Sequence, residues 1–400
     1  MHDEQTIERS GSEILGALAQ QPADPLLALI RAFRSDPRVN KIDVGVGVYR
    51  DDQGRTPVLR AVKEAERRLI EEQTTKAYLG AEGDIGFFEA LKPIIFGPVD
   101  HAGRLSGLQT VGGTGALRVA AELIARARPG ARIWVGNPTW PNHPPILKAA
   151  GLVVADYDHF DVVAQRLTFD RMFSALGEAV PGDVALLHGC CHNPTGADLD
   201  ADQWTAVATL LRDRGVLPLI DLAYQGLGAG LEEDALGTRL MLDIVGEGLV
   251  AYSCDKNFGL YRERVGALYA LSASPEQSHI VQSNLLSLTR ANWSMPPDHG
   301  AAIVRVILED AGLSFDWLAE LAGMRDRIQQ IRDLLAEADP ALAPLAKQRG
   351  MFSTLPLSVA DVARLREVHG IYMPSSGRIN LAGLTPQTVA PFVDALASLR

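Results

Sequence analysis

Lys256 is the residue with most chemical promise. It lies just past an apolar run, Leu249-Ala251, within Ser253-Cys-Asp-Lys-Asn-Phe-Gly-Leu-Tyr-Arg-Glu-Arg264. Most lysines are solvated surface charges. Here a hydroxyl (Ser253), an amine (Lys256) and a guanidinium (Arg264) gather in one apolar, glycine-containing segment, a grouping that suits an anionic cofactor carrying an aldehyde. Asp221 ends a second apolar run, Leu217-Ile220, and Tyr224 follows three residues later. A carboxylate at a strand end lies where open α/β sheets place their ligands. It could keep a heterocyclic nitrogen protonated, or it could simply cap the next helix.

Other segments read two ways. Val111-Gly-Gly-Thr-Gly115 leads into a helical stretch whose free N–H groups and positive dipole end could hold a phosphate. It matches neither the P-loop nor the dinucleotide fingerprint, and an ordinary loop-to-helix turn fits as well. Asn193-Pro-Thr-Gly196 has proline and glycine where turns want them. His143, His188 and His192 flank these loops and read as structural hydrogen-bonding residues without a catalytic role. Cys190-Cys191-His192 lacks a second ligand cluster at zinc spacing, so these are expected to be buried small thiols and no metal is expected.

The elements that must position these residues follow from periodicity. From about residue 108 to 270, short apolar runs alternate with helix-like stretches. Ile133-Val135, Val184-Leu187, Leu217-Ile220 and Leu249-Ala251 read as buried strands, which predicts an α/β domain with a mostly parallel sheet. Leu117, Ala121 and Ile124 predict a helix over Ala116-Ala127, stopped by Pro129-Gly130. Past residue 320, Met324, Ile328, Ile331 and Leu335 line one face of a long helix. Met351-Pro356 and Ile371-Leu384 read as strands, and Thr385-Pro386 as the N-cap and first residue of a final helix. The expected organisation is an arm (1–24), a large domain (55–319) and a small domain made of 25–54 and 320–400.

Composition narrows the partners. Thirty-eight Lys plus Arg against 49 Asp plus Glu give a net charge of −11, a field that repels nucleic acid. No apolar run reaches the roughly 18 residues of a membrane span, and the charged N-terminus is no secretion signal. Three cysteines form no disulfide framework and fit a reducing cytoplasm.

An ordered set of motifs then runs nearly end to end: DPLLALIRAFRSDPR, VGVGVYRD, TKAYLG, GGTGALR, NPTWPNH, HGCCHNPTG, DLAYQG, KNFGLYRERVG, RANWSMPP, KQRGMFS and SGRINLAG. Together they resemble the class I aminotransferases, specifically the aspartate and aromatic amino acid aminotransferases. The resemblance implies a pyridoxal-phosphate (PLP) transferase of fold type I, with a mixed, mostly parallel sheet flanked by helices plus a smaller α/β domain. It also implies a homodimer whose subunits share active sites. Lys256 then resembles the lysine that holds the cofactor as a Schiff base and moves the substrate's proton. Asp221 pairs with the pyridine nitrogen, Tyr224 and Asn193 with the phenolate oxygen, and Trp140 stacks on the ring. Gly113, Thr114, Ser253 and Arg264 hold the phosphate, with Tyr78 reaching in from the neighbouring subunit. Arg378 grips the substrate's α-carboxylate beside Gly47, and Arg290 reaches across the dimer to a side-chain carboxylate. Trp140 and Asn193 border the substrate as well.

The reaction expected from this resemblance is ping-pong transfer from L-aspartate or aromatic L-amino acids to 2-oxoglutarate. Two departures stand out: Asp255 precedes Lys256 where such proteins place serine, and Met295 replaces a small polar residue. The rival readings are a PLP lyase or decarboxylase on the same fold, and a non-enzymatic effector-binding module. The latter fits poorly, since only about 25 residues precede the matching region where a DNA-binding domain would be needed.

Overall fold

The computed structural model describes residues 15–99 and 101–400; most of the expected arm therefore lies outside the described residues. A seven-stranded sheet organises the chain. Its strands are β1 (Leu105–Val111), β2 (Arg132–Asn137), β3 (Val153–Asp158), β4 (Val184–His188), β5 (Leu217–Leu222), β6 (Gly248–Ser253) and β7 (Val265–Leu271), in spatial order β1-β7-β6-β5-β4-β2-β3. All pairings are parallel except those of β7, which runs antiparallel to both β6 and β1. The sheet is thus mixed and mostly parallel, as expected. β5 and β6 are almost wholly buried, which is why Leu217-Ile220 and Leu249-Ala251 read as apolar runs rather than alternating patterns; β7 is equally buried but was not among the expected strands.

Helix α1 (Gly112–Ala127) starts at once after β1, so Gly112, Gly113 and Gly115 form its first turn instead of a loop ahead of it. It lies on β7 and β6 with Leu117, Ala120, Ala121 and Ile124 buried. α2 (Pro275–Asn292) packs on β1. α3 (Ala311–Ala338) is the long helix of the C-terminal part, and Met324, Ile328, Ile331 and Leu335 are all buried on it.

One hydrophobic cluster joins residues of the central segment to Ile42, Val44, Ile331, Phe352, Ile371 and Phe392. Ile42–Asp43 pairs in parallel with Ile371–Tyr372, and Phe352–Thr354 pairs antiparallel with Arg378–Asn380. The early and late segments of the chain are therefore joined by backbone hydrogen bonds. The expected strand over Ile371-Leu384 is not continuous. It breaks at Pro374-Gly377, where Gly377 has φ +77°, into two short strands and a 3-10 turn at Leu381–Gly383. The final helix is Pro386–Ala397 with Thr385 as N-cap, and Thr388 Oγ1 accepts from Thr385 N at 2.8 Å.

Candidate active site

The carboxyl ends of β4, β5 and β6 and the start of α1 surround a cavity of about 220 Å³. Gly47, Gly113, Thr114, Trp140, Asn193, Asp221, Tyr224, Ser253, Lys256 and Arg264 line it, joined by Leu117, Ala223, Asp255 and Tyr261. Lys256 sits one turn beyond β6, with Nζ 5.2 Å from the centre of the Tyr224 ring. Desolvation pushes its amine below the usual lysine range, opposed by the carboxylates of Asp255 and Asp221.

Asp221 is 7% exposed. Burial pushes its acidity the wrong way, but a hydrogen bond to His143 and the nearby charges prevail, so the carboxyl ends below its ordinary range. His143 Nε2 lies 3.0 Å from Asp221 Oδ2, and its Nδ1 lies 2.8 Å from Thr139 Oγ1. An ionised carboxylate only accepts, so Nε2 carries the proton. Asp221 is therefore no helix cap. It is a buried anion held by His143 and lining the cavity. His143 was expected to be merely structural; its contact with Asp221 makes it part of the site, 78 residues away in sequence.

The Asn193-Pro-Thr-Gly196 segment is a turn, and it also delivers a side chain. Asn193 Nδ2 donates to Tyr224 OH at 3.3 Å, while Asn193 Oδ1 is buried with no partner. Burial raises the Tyr224 hydroxyl well above its ordinary pKa, which keeps it protonated and able to donate. Gly196 has φ +68°, and a Cβ there would stand 2.6 Å from the Phe352 carbonyl oxygen. This close approach lets Gly196 O accept from Arg349 N at 2.7 Å and Pro194 O accept from Thr354 Oγ1 at 3.0 Å. Trp140 sits edge-on to His143, with ring centres 5.2 Å apart.

At the other end, the Arg264 guanidinium lies across Gly112, where a Cβ would meet Nη2 at 2.6 Å. That arrangement sets a cation at the N-terminal end of α1, beside the buried hydroxyl of Ser253. Arg264 Nη1 also donates to Asp255 Oδ2 and to Tyr261 O, the latter at 3.2 Å.

Arg378 comes to the same region from the C-terminal segment. Its guanidinium lies 4.6 Å over the Phe352 ring, and Nη2 donates to Gly45 O at 2.8 Å, while Nε is buried without a partner. Burial pushes its pKa down, so an anion arriving there would be favoured. Phe352 meets Tyr224 edge-on at 5.8 Å and would touch a Cβ on Gly47 at 3.1 Å. The sequence reading did not select Phe352 or Tyr261; their only signal was membership in the KQRGMFS and KNFGLYRERVG motifs.

Three expected site residues do not line the cavity of this chain: Arg378, which stands beside it against Phe352, and two that lie away from it. Tyr78 is 92% exposed, and Arg290 is an exposed residue of α2 that donates to Ser294 Oγ at 2.7 Å. Their segments meet each other, since Leu79 N lies 3.1 Å from Met295 Sδ. Elsewhere, Cys190, Cys191 and Asp234 offer ligand atoms within 4.8 Å of one another. Asp234, however, already accepts from the backbone N–H groups of Gly226, Gly228 and Ala229, and all three cysteines are buried free thiols.

The residues fit the pyridoxal phosphate implied by the resemblance. One cavity holds the Lys256 amine, the Asp221 carboxylate and the Arg264 guanidinium at a helix start, and the amine feels both charges. The unpartnered Asn193 Oδ1 and the Tyr224 hydroxyl belong to residues lining the same cavity. The misfit is Asp255, a carboxylate at the phosphate end.

Comparisons with known proteins show the family. Residues 39–396 match the family model "Aminotransferase class I and II". The chain is 54% identical to a tyrosine aminotransferase of Rhizobium meliloti (strain 1021), covering 96% of this chain and 99% of that one. It is 45% identical to an aspartate aminotransferase of Escherichia coli (strain K12), covering 94% and 98%. A solved aromatic-amino-acid aminotransferase from Burkholderia pseudomallei, covalently bound to pyridoxal phosphate, superposes with a TM-score of 0.94 at 38% identity, covering 96% and 99%.

Proposed function

Since this chain belongs to the class I and II aminotransferases, we propose that it transfers the amino group of L-aspartate, aromatic L-amino acids or both to 2-oxoglutarate, with pyridoxal phosphate carried on Lys256. The observation that carries this reading is the Lys256 amine standing in one cavity with Asp221 and Arg264. When bound, the cofactor supplies an aldehyde that carries the amino group between half-reactions and a ring that accepts the electrons released at Cα.

The residues supply the rest. Lys256, its amine depressed by desolvation, takes the proton from the substrate's Cα and returns it. Asp221, backed by His143, keeps the ring nitrogen protonated. Tyr224 and Asn193 hold the ring oxygen, and Trp140 covers one ring face. Gly113, Thr114, Ser253 and Arg264 hold the phosphate. Arg378 offers a planar fork to the substrate's α-carboxylate beside Gly47, since its Nε is buried and unpaired.

A homodimer completes the site in this reading. The partner subunit's Tyr78 reaches the phosphate, and the partner subunit's Arg290 meets the side-chain carboxylate of a dicarboxylic substrate. The exposure of both residues, and the contact between their segments, support this role. The large domain would comprise 55–319 and the small one 25–54 with 320–400, and the three free thiols suit a cytoplasmic enzyme.

The test is a half-reaction panel. The yellow enzyme is mixed with single amino acids, and conversion to its pyridoxamine form is recorded. Conversion by aspartate, by aromatic amino acids or by both is expected, and 2-oxoglutarate should reverse it. No conversion by either class would refute the proposal. Pyruvate or alanine formed from aspartate with no oxo acid present would identify a lyase or decarboxylase instead.

A further inference from the structure

The phosphate end of the cavity already contains an anion. Asp255 is 3% exposed. Its Oδ2 accepts from Arg264 Nη1, while its Oδ1 is buried with no hydrogen-bond partner. Asp255 N donates to Ser253 Oγ at 3.2 Å, so the backbone holds this residue beside the hydroxyl that lines the same end. Arg264 in turn lies close against Gly112 at the start of α1. Guanidinium, helix start and hydroxyl together form an anion site, and Asp255 neutralises its one formal cation.

A phosphate monoester brings about −1.5 to −2 charges at pH 7. To bind here it must either take Arg264 from Asp255 or sit beside a carboxylate of like sign, and both weaken its hold. A serine at this position would give a hydroxyl donor without charge. The burial of Asp255 matters, because water screens repulsion from its 5%-exposed side chain less than it would at the surface, although the Arg264 side chain itself is 38% exposed.

We propose that Asp255 is a resident competitor for Arg264, stabilising the cofactor-free protein and setting how loosely the cofactor's phosphate is retained. This rests on the reading of the cavity as a pyridoxal phosphate site. It assigns Asp255 a role in cofactor exchange rather than in the chemical step.

The experiment strips the full-length protein of cofactor and titrates it with pyridoxal phosphate and, separately, with pyridoxal, which lacks the phosphate. Formation of the Lys256 adduct is followed by visible absorbance and thermal unfolding is recorded alongside. Asp255→Ser and the isosteric Asp255→Asn should both bind pyridoxal phosphate about ten- to a hundredfold more tightly than the wild type. Pyridoxal should change by less than about threefold. The stripped variants should melt below the stripped wild type, and pyridoxal phosphate should raise their melting temperature by more. Unchanged or weaker phosphate-ester binding in both variants would overturn the proposal. So would an equal gain for pyridoxal, which would place the effect at the amine. If no adduct forms in any of the three proteins, the cofactor reading itself falls; adducts in all three with equal affinities sink only the role of Asp255.

Discussion

Replacing Arg378 by lysine isolates geometry from charge. In the structure the Arg378 guanidinium is stacked on Phe352 at 4.6 Å and anchored through Nη2 to Gly45 O at 2.8 Å. The anchor leaves a planar edge to engage both oxygens of a carboxylate. A lysine keeps the positive charge, but it reaches one oxygen only and cannot stack as a flat fork. One charge-assisted hydrogen bond is lost, worth about 1.5–3 kcal/mol. That corresponds to a roughly 10- to 150-fold fall in kcat/KM. Every amino acid presents the same α-carboxylate, so aspartate and phenylalanine should fall by the same factor to within about threefold. Single-turnover rate constants for the two substrates, read from the absorbance of the cofactor, give both numbers. A large loss for aspartate with phenylalanine untouched would show that Arg378 reads the side chain, and the assignment would be wrong.

Arg290→Leu should show the opposite selectivity, costing aspartate about a hundredfold while phenylalanine changes by less than about threefold; equal losses would contradict the two-arginine scheme. Lys256→Ala should still take up pyridoxal phosphate but turn over negligibly, and borohydride should fix no label to it; near-normal turnover removes the assigned role. His159 offers a test of stability. Burial pushes it from 6.5 down to about 4, so between those values the unfolded chain binds a proton that the folded one refuses. Stability therefore falls as pH drops through that window, by about 3 kcal/mol from this residue at its foot. His159→Phe preserves an aromatic ring against His192, which it meets at 3.8 Å, and should flatten the urea-measured slope between pH 6.5 and 4 by about one proton. An unchanged slope would mean that His159 does not titrate as its burial implies.

The legible parts of the fold were those where one physical signal dominated. β4, β5 and β6 are buried on both faces and read as unbroken apolar runs, and α3 exposes its 3.6-residue period through Met324, Ile328, Ile331 and Leu335. β1 escaped because Ser106, Gly107, Gln109 and Thr110 interrupt it, yet Gln109 is fully buried. Its side chain accepts from Asp84 N and donates to Pro297 O, both at 2.8 Å, so tertiary partners satisfy what looks polar locally. The chemistry was legible at Lys256 and Asp221 as types at strand ends. The support behind Asp221 was not, because His143 comes from a distant helix. Asp255 drew notice as a carboxylate next to a lysine, but its engagement with Arg264 depends on how the loop after β6 folds back.

The contact of Leu79 N with Met295 Sδ bears on how such an enzyme can diversify. If two subunits complete each other's cavities as proposed, one small area of surface delivers both a cofactor contact and the side-chain reader. Changes that retune the Met295 loop toward bulkier or less charged substrates would then disturb the neighbour's grip on its phosphate as well. Evolution of substrate choice and of cofactor retention would be forced to proceed together, through a patch that lies outside the cavity of its own chain.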